Sequence, residues 1–169
     1  MKTRITALLG IEHPIFQAAM SWASSNAALV AAVSDAGGMG VLGAGPLRPE
    51  DFKRILGEIR DRTSKPYGVN IPLNGARAPE LIQIALEQKI PVMVASQGGP
   101  KAHLERFRAV GTKWLHVVAS VEHALKAEAA GVDALVVDGA EAGGHPPPSE
   151  VGTLVLVRRV VKAVKLPVV

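Results

Sequence analysis

Short apolar runs recur along the chain, and each is followed by a polar or glycine turn and then by a segment with helical periodicity. The runs span residues 14–20, 39–45, 67–73, 90–96, 114–120 and 134–139, and a last one begins at Leu166. Contiguous apolar runs of this length, without alternation, are typical of parallel strands that are covered on both faces. We therefore predict consecutive strand–helix units in which each run is a strand.

The segments between these runs carry apolar residues three and four positions apart. We predict helices at residues 26–36, 49–63, 78–88, 101–110, 121–130 and 154–164. The stripe formed by Phe52, Ile55 and Ile59 is the clearest amphipathic pattern among them. Glycines at Gly37, Gly111 and Gly131 separate a helix from the next strand, where a left-handed residue ends a helix at little cost.

Six helices and a seventh strand favour a (β/α)8 TIM barrel, and a doubly wound sheet remains the alternative. The predicted barrel is incomplete at its C-terminal end, with about six and a half strand–helix units. Residues 1–169 form a single domain in this interpretation, because no Pro/Ser-rich linker interrupts the units. Gly37-Gly38-Met39-Gly40 follows a helix, which is the wrong order for a dinucleotide phosphate loop.

The composition argues against several classes of function. The net charge of +4 comes from 19 basic and 15 acidic residues that are interspersed, so no nucleic-acid partner is predicted. The absence of cysteine excludes disulfides and thiolate metal sites. We predict no metal site, because no His pair has i, i+4 spacing with a neighbouring carboxylate and no carboxylate cluster is present. We predict no membrane association and a cytoplasmic location, because no apolar run reaches the ~20 residues of a membrane helix.

Five strand ends carry residues suited to a ligand at a barrel mouth, because small residues let a flat ring approach the backbone. They are residues 17–21, 43–45, Asn70, 96–99 and 139–145. In the last of these, two glycines precede His145, a side chain that titrates near neutrality and suits proton abstraction. A surface loop whose glycines serve only the turn is the alternative interpretation. We predict that His13, His103, His116 and His123 are solvated or core histidines.

Four motifs in this order resemble the nitronate monooxygenase family (2-nitropropane dioxygenases), which includes FMN-dependent enoyl-ACP reductases and NADH:quinone reductases. They are His-Pro-Ile-Phe-Gln-Ala-Ala-Met at 13–20, Val-Ser-Asp-Ala-Gly-Gly-Met-Gly-Val-Leu-Gly at 33–43, Lys-Pro-Tyr-Gly-Val-Asn at 65–70 and Glu-Ala-Gly-Gly-His at 141–145. The resemblance implies FMN across the mouth of a TIM barrel. It implies His145 as the catalytic base that removes the α-proton of a nitroalkane. The cofactor contacts expected from it are Ala19, Met20, Ser21, Asn70, Asp138, Gly143 and Gly144.

The chain departs from the family pattern at two places in the sixth unit. Asp138 replaces the glutamine that is more usual in nitronate monooxygenases. A carboxylate at this position is more similar to the reductase branches, in which NAD(P)H reduces the flavin and an enoyl thioester or a quinone is reduced. Pro146-Pro147-Pro148 replaces a stretch that usually contains glycine. The expected partner is thus a small molecule, namely a nitronate, an enoyl thioester or a quinone, and a homo-oligomer is left open.

The family pattern continues beyond Val169 through further strands. We therefore expect the chain to be part of a longer protein. After the monooxygenase and the reductase, the third functional alternative is an inactive fragment or an assembly module. If the chain is complete, we expect it to be inactive.

Overall fold

The computed structural model describes residues 1–148 and 150–169 as alternating helices and strands. The helices are α1 (Arg4–Leu9), α2 (Ala27–Asp35), α3 (Pro49–Arg62), α4 (Ala78–Glu87), α5 (Leu104–Ala109), α6 (Val121–Ala130) and α7 (Thr153–Ala163). The strands are β1 (Phe16–Gln17), β2 (Met39–Gly43), β3 (Gly68–Pro72), β4 (Val92–Ser96), β5 (Lys113–Val118) and β6 (Ala134–Val137). None of the described helices has the length and apolar character needed to cross a membrane.

The six strands form one parallel sheet in the order β1-β2-β3-β4-β5-β6. A doubly wound sheet reverses its strand order at a switch point, and this sheet has no reversal. The chain therefore forms an arc of a (β/α)8 barrel, as predicted. The predicted seventh strand is represented by a single parallel bridge between Leu135 and Val168.

Both faces of the sheet are largely buried, which explains why most strand residues are apolar. In β4, Met93 and Ala95 point towards the surrounding helices, whereas Val92 and Val94 point to the inner face. The outer core is built around Phe52, which is fully buried. Such two-sided burial is what contiguous apolar strands require.

Helix α1 was not predicted, and it closes the end of the arc where the strands begin. Ile5 and Leu9 pack with inner-face residues such as Met39 at the start of β2. Thr3 and Thr6 form a reciprocal capping box. The Arg4 guanidinium donates to the carbonyl oxygens of Lys165 and Leu166, at 2.5 and 3.3 Å. This end is therefore filled, and the opposite end, at the strand carboxyl termini, is left for a ligand.

Several boundaries differ from the prediction, because propensity does not reveal where pairing begins. The first run pairs only at Phe16–Gln17, and α5 begins at Leu104 rather than at residue 101. His103, expected inside that helix, is its N-cap. The glycine stops are confirmed, since Gly37, Gly111 and Gly131 have φ values of +86°, +83° and +89°.

Candidate active site at the carboxyl ends of the strands

A cleft of about 1890 Å³ opens where the strands end. Every residue predicted to contact the cofactor or to act in catalysis lines this cleft: Ala19, Met20, Ser21, Asn70, Asp138, Gly143, Gly144 and His145. These residues lie within β3 or in the loops after β1 and β6, strands that are separated in sequence but end at the same edge of the sheet. The fold thus brings together all the predicted site residues.

Two serines hold the segment from Ala19 to Ser21 in place. The Ser24 hydroxyl is fully buried; it accepts from the Met20 backbone N–H at 2.7 Å and donates to the Met20 carbonyl at 3.0 Å. The Ser25 hydroxyl donates to the Gly43 carbonyl at 2.6 Å and ties the same loop to the end of β2. The loop is therefore tied to the end of β2, and its residues line the cleft.

Asn70 lies at the centre of β3, half-buried, with its amide nitrogen fully engaged. Its Nδ2 donates to the Val94 carbonyl at 2.8 Å and to Ser96 Oγ at 3.2 Å. The amide oxygen accepts no hydrogen bond from the part of the chain that the structure describes. Because both donors are satisfied by β4, the oxygen is the atom that Asn70 offers to an N–H group of a ligand.

Asp138 follows β6 directly, and its backbone N–H donates to the Val118 carbonyl at 3.0 Å. Burial raises the pKa of this carboxyl above its ordinary value, because desolvation disfavours the charged form. The carboxyl is half-buried and lines the cleft. It is therefore a group that a ligand's hydrogen-bond donor would stabilise in its ionised form.

Replacement of Asp138 with asparagine is expected to raise the melting temperature at neutral pH. The folded state holds the Asp138 proton more tightly than the unfolded chain does. The contribution of Asp138 to stability is therefore fully present below the pKa that its carboxyl has in the unfolded chain. It is lost as the pH rises through the higher pKa of the folded state. The Tm gain of Asp138→Asn should be largest near about pH 8 and should shrink as the pH falls towards 3.8, the ordinary pKa value. A Tm difference that is constant across this range would contradict the raised pKa.

The base of the β6–α7 loop is closed by close packing and by a side-chain cap. A Cβ at Gly139 would lie 2.5 Å from the backbone nitrogen of Thr153, so only glycine fits there. The Glu141 carboxylate accepts from the Thr153 hydroxyl at 2.8 Å and from its backbone N–H at 2.7 Å, and these bonds lower the pKa of Glu141. The start of α7 is thereby capped and the loop ends are fixed.

The tip of this loop carries His145 over the cleft. Gly144 has a φ of +80°, and the His145 backbone N–H donates to the Gly143 carbonyl at 3.0 Å. Among the described residues, no atom outside the neighbouring residues lies within 4 Å of a Cβ built at Gly143 or Gly144. His145 is exposed, so its imidazole is accessible to a molecule in the cleft.

A second histidine that lines the cleft is His116, which lies in β5. It is 7% exposed, and its Nδ1 accepts from Trp114 Nε1 at 3.4 Å. Burial lowers its pKa, and a hydrogen bond to the Gly98 backbone opposes that effect. His116 therefore joins β5 to the loop after β4, a connection that sequence periodicity does not reveal.

Sequence reasoning gave no individual role to the loop after β4, which also lines the cleft. Gln97 and Lys101 of this loop reach it, and His123 and Lys126 of α6 lie on its outer wall. Among residues 1–148 and 150–169, no group of three or more His, Asp or Glu side chains is placed to hold a metal ion. The site therefore offers amide, carboxyl, imidazole and ammonium groups beside an apolar floor.

Comparison with known proteins identifies the family of this chain. The family model described as nitronate monooxygenase matches residues 2–82 and 73–169. FabK from Thermotoga maritima shares 42% identity with a TM-score of 0.94, over 99% of this chain and 53% of that one. The nitroalkane oxidase from Streptomyces ansochromogenes shares 30% identity with a TM-score of 0.85, over 98% of this chain and 59% of that one.

A curated relative comes from Rhodococcus jostii (strain RHA1). It is named (3aS,4S,5R,7aS)-5-hydroxy-7a-methyl-1-oxo-octahydro-1H-indene-4-carboxyl-CoA dehydrogenase and is 31% identical over 169 residues, which is 100% of this chain and 47% of the relative. The chain thus spans about half the length of the relatives that it matches. Its four sequence motifs, its strand order and the family match over nearly its whole length agree. The chain belongs to the nitronate monooxygenase family.

Proposed function

We propose that the protein is an FMN-dependent oxidoreductase whose flavin lies in the cleft at the strand carboxyl ends. The observation that carries this proposal is the convergence of the loops after β1, β4 and β6, together with Asn70 of β3, on one cleft. Ligands of parallel α/β proteins bind at this edge of the sheet. Membership of the nitronate monooxygenase family supports the same assignment.

The residues that line the cleft fit a flat, polar-edged ring. The floor consists of small side chains, including Ala18, Ala19, Gly43 and Gly45. We expect the backbone of Ala19, Met20 and Ser21 and the Asn70 amide oxygen to hold the ring edge. Asp138, Gly143 and Gly144 would hold its other side. When bound, the flavin supplies the two-electron redox chemistry that amino-acid side chains lack.

The first candidate reaction is the oxidation of nitroalkanes through their nitronates, with O2 as the final electron acceptor. His145 takes the proton from the carbon next to the nitro group on an imidazole nitrogen. The electron pair of the broken C–H bond passes to the nitro oxygens and forms the nitronate. An exposed histidine on a glycine-hinged tip is suited to this step, because its side chain reaches a substrate lying above the floor.

The second candidate is a reductase cycle on the same site, in which NAD(P)H reduces the flavin and an enoyl thioester or a quinone is reduced. Asp138 favours it, since a half-buried carboxyl replaces the more usual glutamine of nitronate monooxygenases. The Rhodococcus relative, whose name denotes a carboxyl-CoA dehydrogenase, supports a thioester substrate.

The test begins with the visible absorption spectrum of the purified protein. We expect a bound yellow chromophore that heat releases and that chromatography identifies as FMN. A colourless protein that also fails to bind added FMN would contradict the flavin assignment and favour the inactive-fragment or assembly-module alternative.

Anaerobic mixing then separates the two cycles. Rapid bleaching by NADH or NADPH is expected of the reductase cycle. A flavin that stays oxidised with both nucleotides, but turns over ethyl nitronate in the presence of O2, is expected of the monooxygenase.

A further inference from the structure

Gln97, at the end of β4, has a left-handed backbone with a φ of +55°. The other described non-glycine residues with positive φ are Trp22 and Lys89. A residue with a Cβ in this region is strained, and such residues persist only where the surroundings hold them. Of the three, Gln97 alone lines the cleft.

Contacts on both sides fix the turn that carries Gln97. Before it, the Ser96 carbonyl accepts from the Leu73 backbone N–H at 2.8 Å, and the Ser96 hydroxyl accepts from Asn70. After it, Gly98 approaches Leu73 so closely that a Cβ on Gly98 would lie 2.8 Å from the Leu73 Cβ. The Gly98 backbone lies beside the His116 imidazole and raises its pKa against the effect of burial. The strained conformation is therefore imposed by β3 and β5 together.

The Gln97 amide differs from the other amides at the mouth because it is not used within the protein. The Gln17 amide bonds to the Val41 backbone: its oxygen accepts from the N–H at 3.3 Å, and its nitrogen donates to the carbonyl at 3.2 Å. The Asn70 amide nitrogen donates both of its hydrogens to residues of β4. Gln97 is exposed, and its amide makes no hydrogen bond to residues 1–148 or 150–169. A held backbone with a free donor is the arrangement of a ligand contact.

We propose that Gln97 is a further catalytic residue, whose Nε2 donates a hydrogen bond to the sp2 oxygen beside the reacting carbon of the substrate. This inference rests on the proposed function, in which the substrates carry such an oxygen as a nitro, thioester or quinone group. When His145 takes the α-proton of a nitroalkane, the electron pair moves onto the nitro oxygens. A hydrogen bond from the Gln97 amide to these oxygens stabilises that charge. Lys101, four residues further along the same loop, adds a positive charge to this side of the cleft.

The experiment compares Gln97→Gly with Lys89→Gly in the full chain. Lys89 has a φ of +47° and is exposed after α4, outside the cleft, so it matches the backbone strain without the site. Relief of strain should leave both variants at least as stable as the wild type, with Tm gains of up to about 4 °C. Only Gln97→Gly should lose kcat/KM for nitroethane, by about tenfold to a hundredfold.

Binding of an unreactive analogue provides a readout other than turnover. Propionate has the planar two-oxygen head of a nitronate, and its Kd follows from the flavin difference spectrum. Gln97→Gly should raise this Kd about three- to tenfold, the value of one hydrogen bond, whereas Lys89→Gly should not. Gln97→Glu keeps the shape but loses the donor, and it should weaken propionate binding at least as much.

The outcomes separate this inference from the function on which it rests. A wild-type protein without flavin and without turnover of nitroethane, ethyl nitronate or NAD(P)H overturns both. A flavin-containing, active wild type whose kcat/KM and propionate Kd are unchanged in Gln97→Gly and Gln97→Glu overturns the role of Gln97 alone.

Discussion

Replacement of His145 with asparagine is expected to abolish the oxidation of nitroethane while the oxidation of ethyl nitronate continues. Asparagine retains a polar side chain of similar reach but cannot take a proton. A positioned general base contributes about 10²- to 10⁴-fold to rate, so kcat/KM for nitroethane should fall by that factor. Ethyl nitronate has already lost the α-proton, and its kcat/KM should change only a few-fold. Steady-state oxygen consumption with each substrate measures both values.

His123→Asn is the matched control for this substitution. His123 also lines the cleft, but it lies on α6 and is predicted to be a solvated histidine. His123→Asn should leave both activities intact. Neither His123→Asn nor His145→Asn should change Tm, because both side chains are exposed. Equal loss of the two activities in His145→Asn would contradict the role in proton abstraction and would point to binding instead.

Replacement of Gly40 with alanine is expected to have the largest effect on stability. A Cβ at this position would lie 2.1 Å from the carbonyl oxygen of Val30 and 2.8 Å from its Cα, so α2 packs directly on the backbone of β2. The clash involves backbone atoms, which cannot be relieved by turning a side chain. We expect a loss of about 3 kcal/mol or more. For a chain of this size this corresponds to a Tm fall of about 6–12 °C.

Replacement of Gly57 with alanine is expected to have the opposite effect on the free energy of unfolding. Gly57 lies within α3, and in the part of the chain that the structure describes no atom beyond the adjacent helix backbone is within 4 Å of a Cβ built there. Alanine should therefore stabilise the helix by about 0.5–1 kcal/mol, because glycine loses more backbone freedom on folding. Urea unfolding of both variants tests the pair. A Gly40→Ala protein as stable as the wild type would show that α2 can move away from β2.

The positions of the strands could be predicted because burial on both faces leaves a contiguous apolar run in the sequence. Met93 faces the helices and Val94 the inner face, yet both must be apolar, so the run is visible without knowing which face is which. The helix stops were visible for a similar reason, since a left-handed C-terminal residue favours glycine, as at Gly131. These are local requirements, and local requirements are recorded in local sequence.

Helix α1 and the exact bounds of the first strand were missed because nothing local distinguishes them. Six residues are too few for a periodic pattern, and α1 is stabilised by packing on β2 and by the Arg4 bonds to Lys165 and Leu166 at the other end of the chain. Likewise, only Phe16 and Gln17 pair with β2, although the apolar run extends further. Pairing partners distant in sequence decide these boundaries.

The sequence alone determined the repeating strand–helix order, the family and the motif residues from Ala19 to His145, because each depends on residue types at fixed spacing. Only the tertiary structure decided that the strands follow one another without a reversal and that the loops after β1, β4 and β6 meet with Asn70 at one cleft. It also showed that the Asn70 amide nitrogen donates both of its hydrogen bonds to β4, whereas the Gln97 amide has no partner among the described residues. The physical reason is that a hydrogen bond between residues distant in sequence, or a left-handed φ imposed by two neighbouring strands, leaves no pattern in the amino acids that flank it.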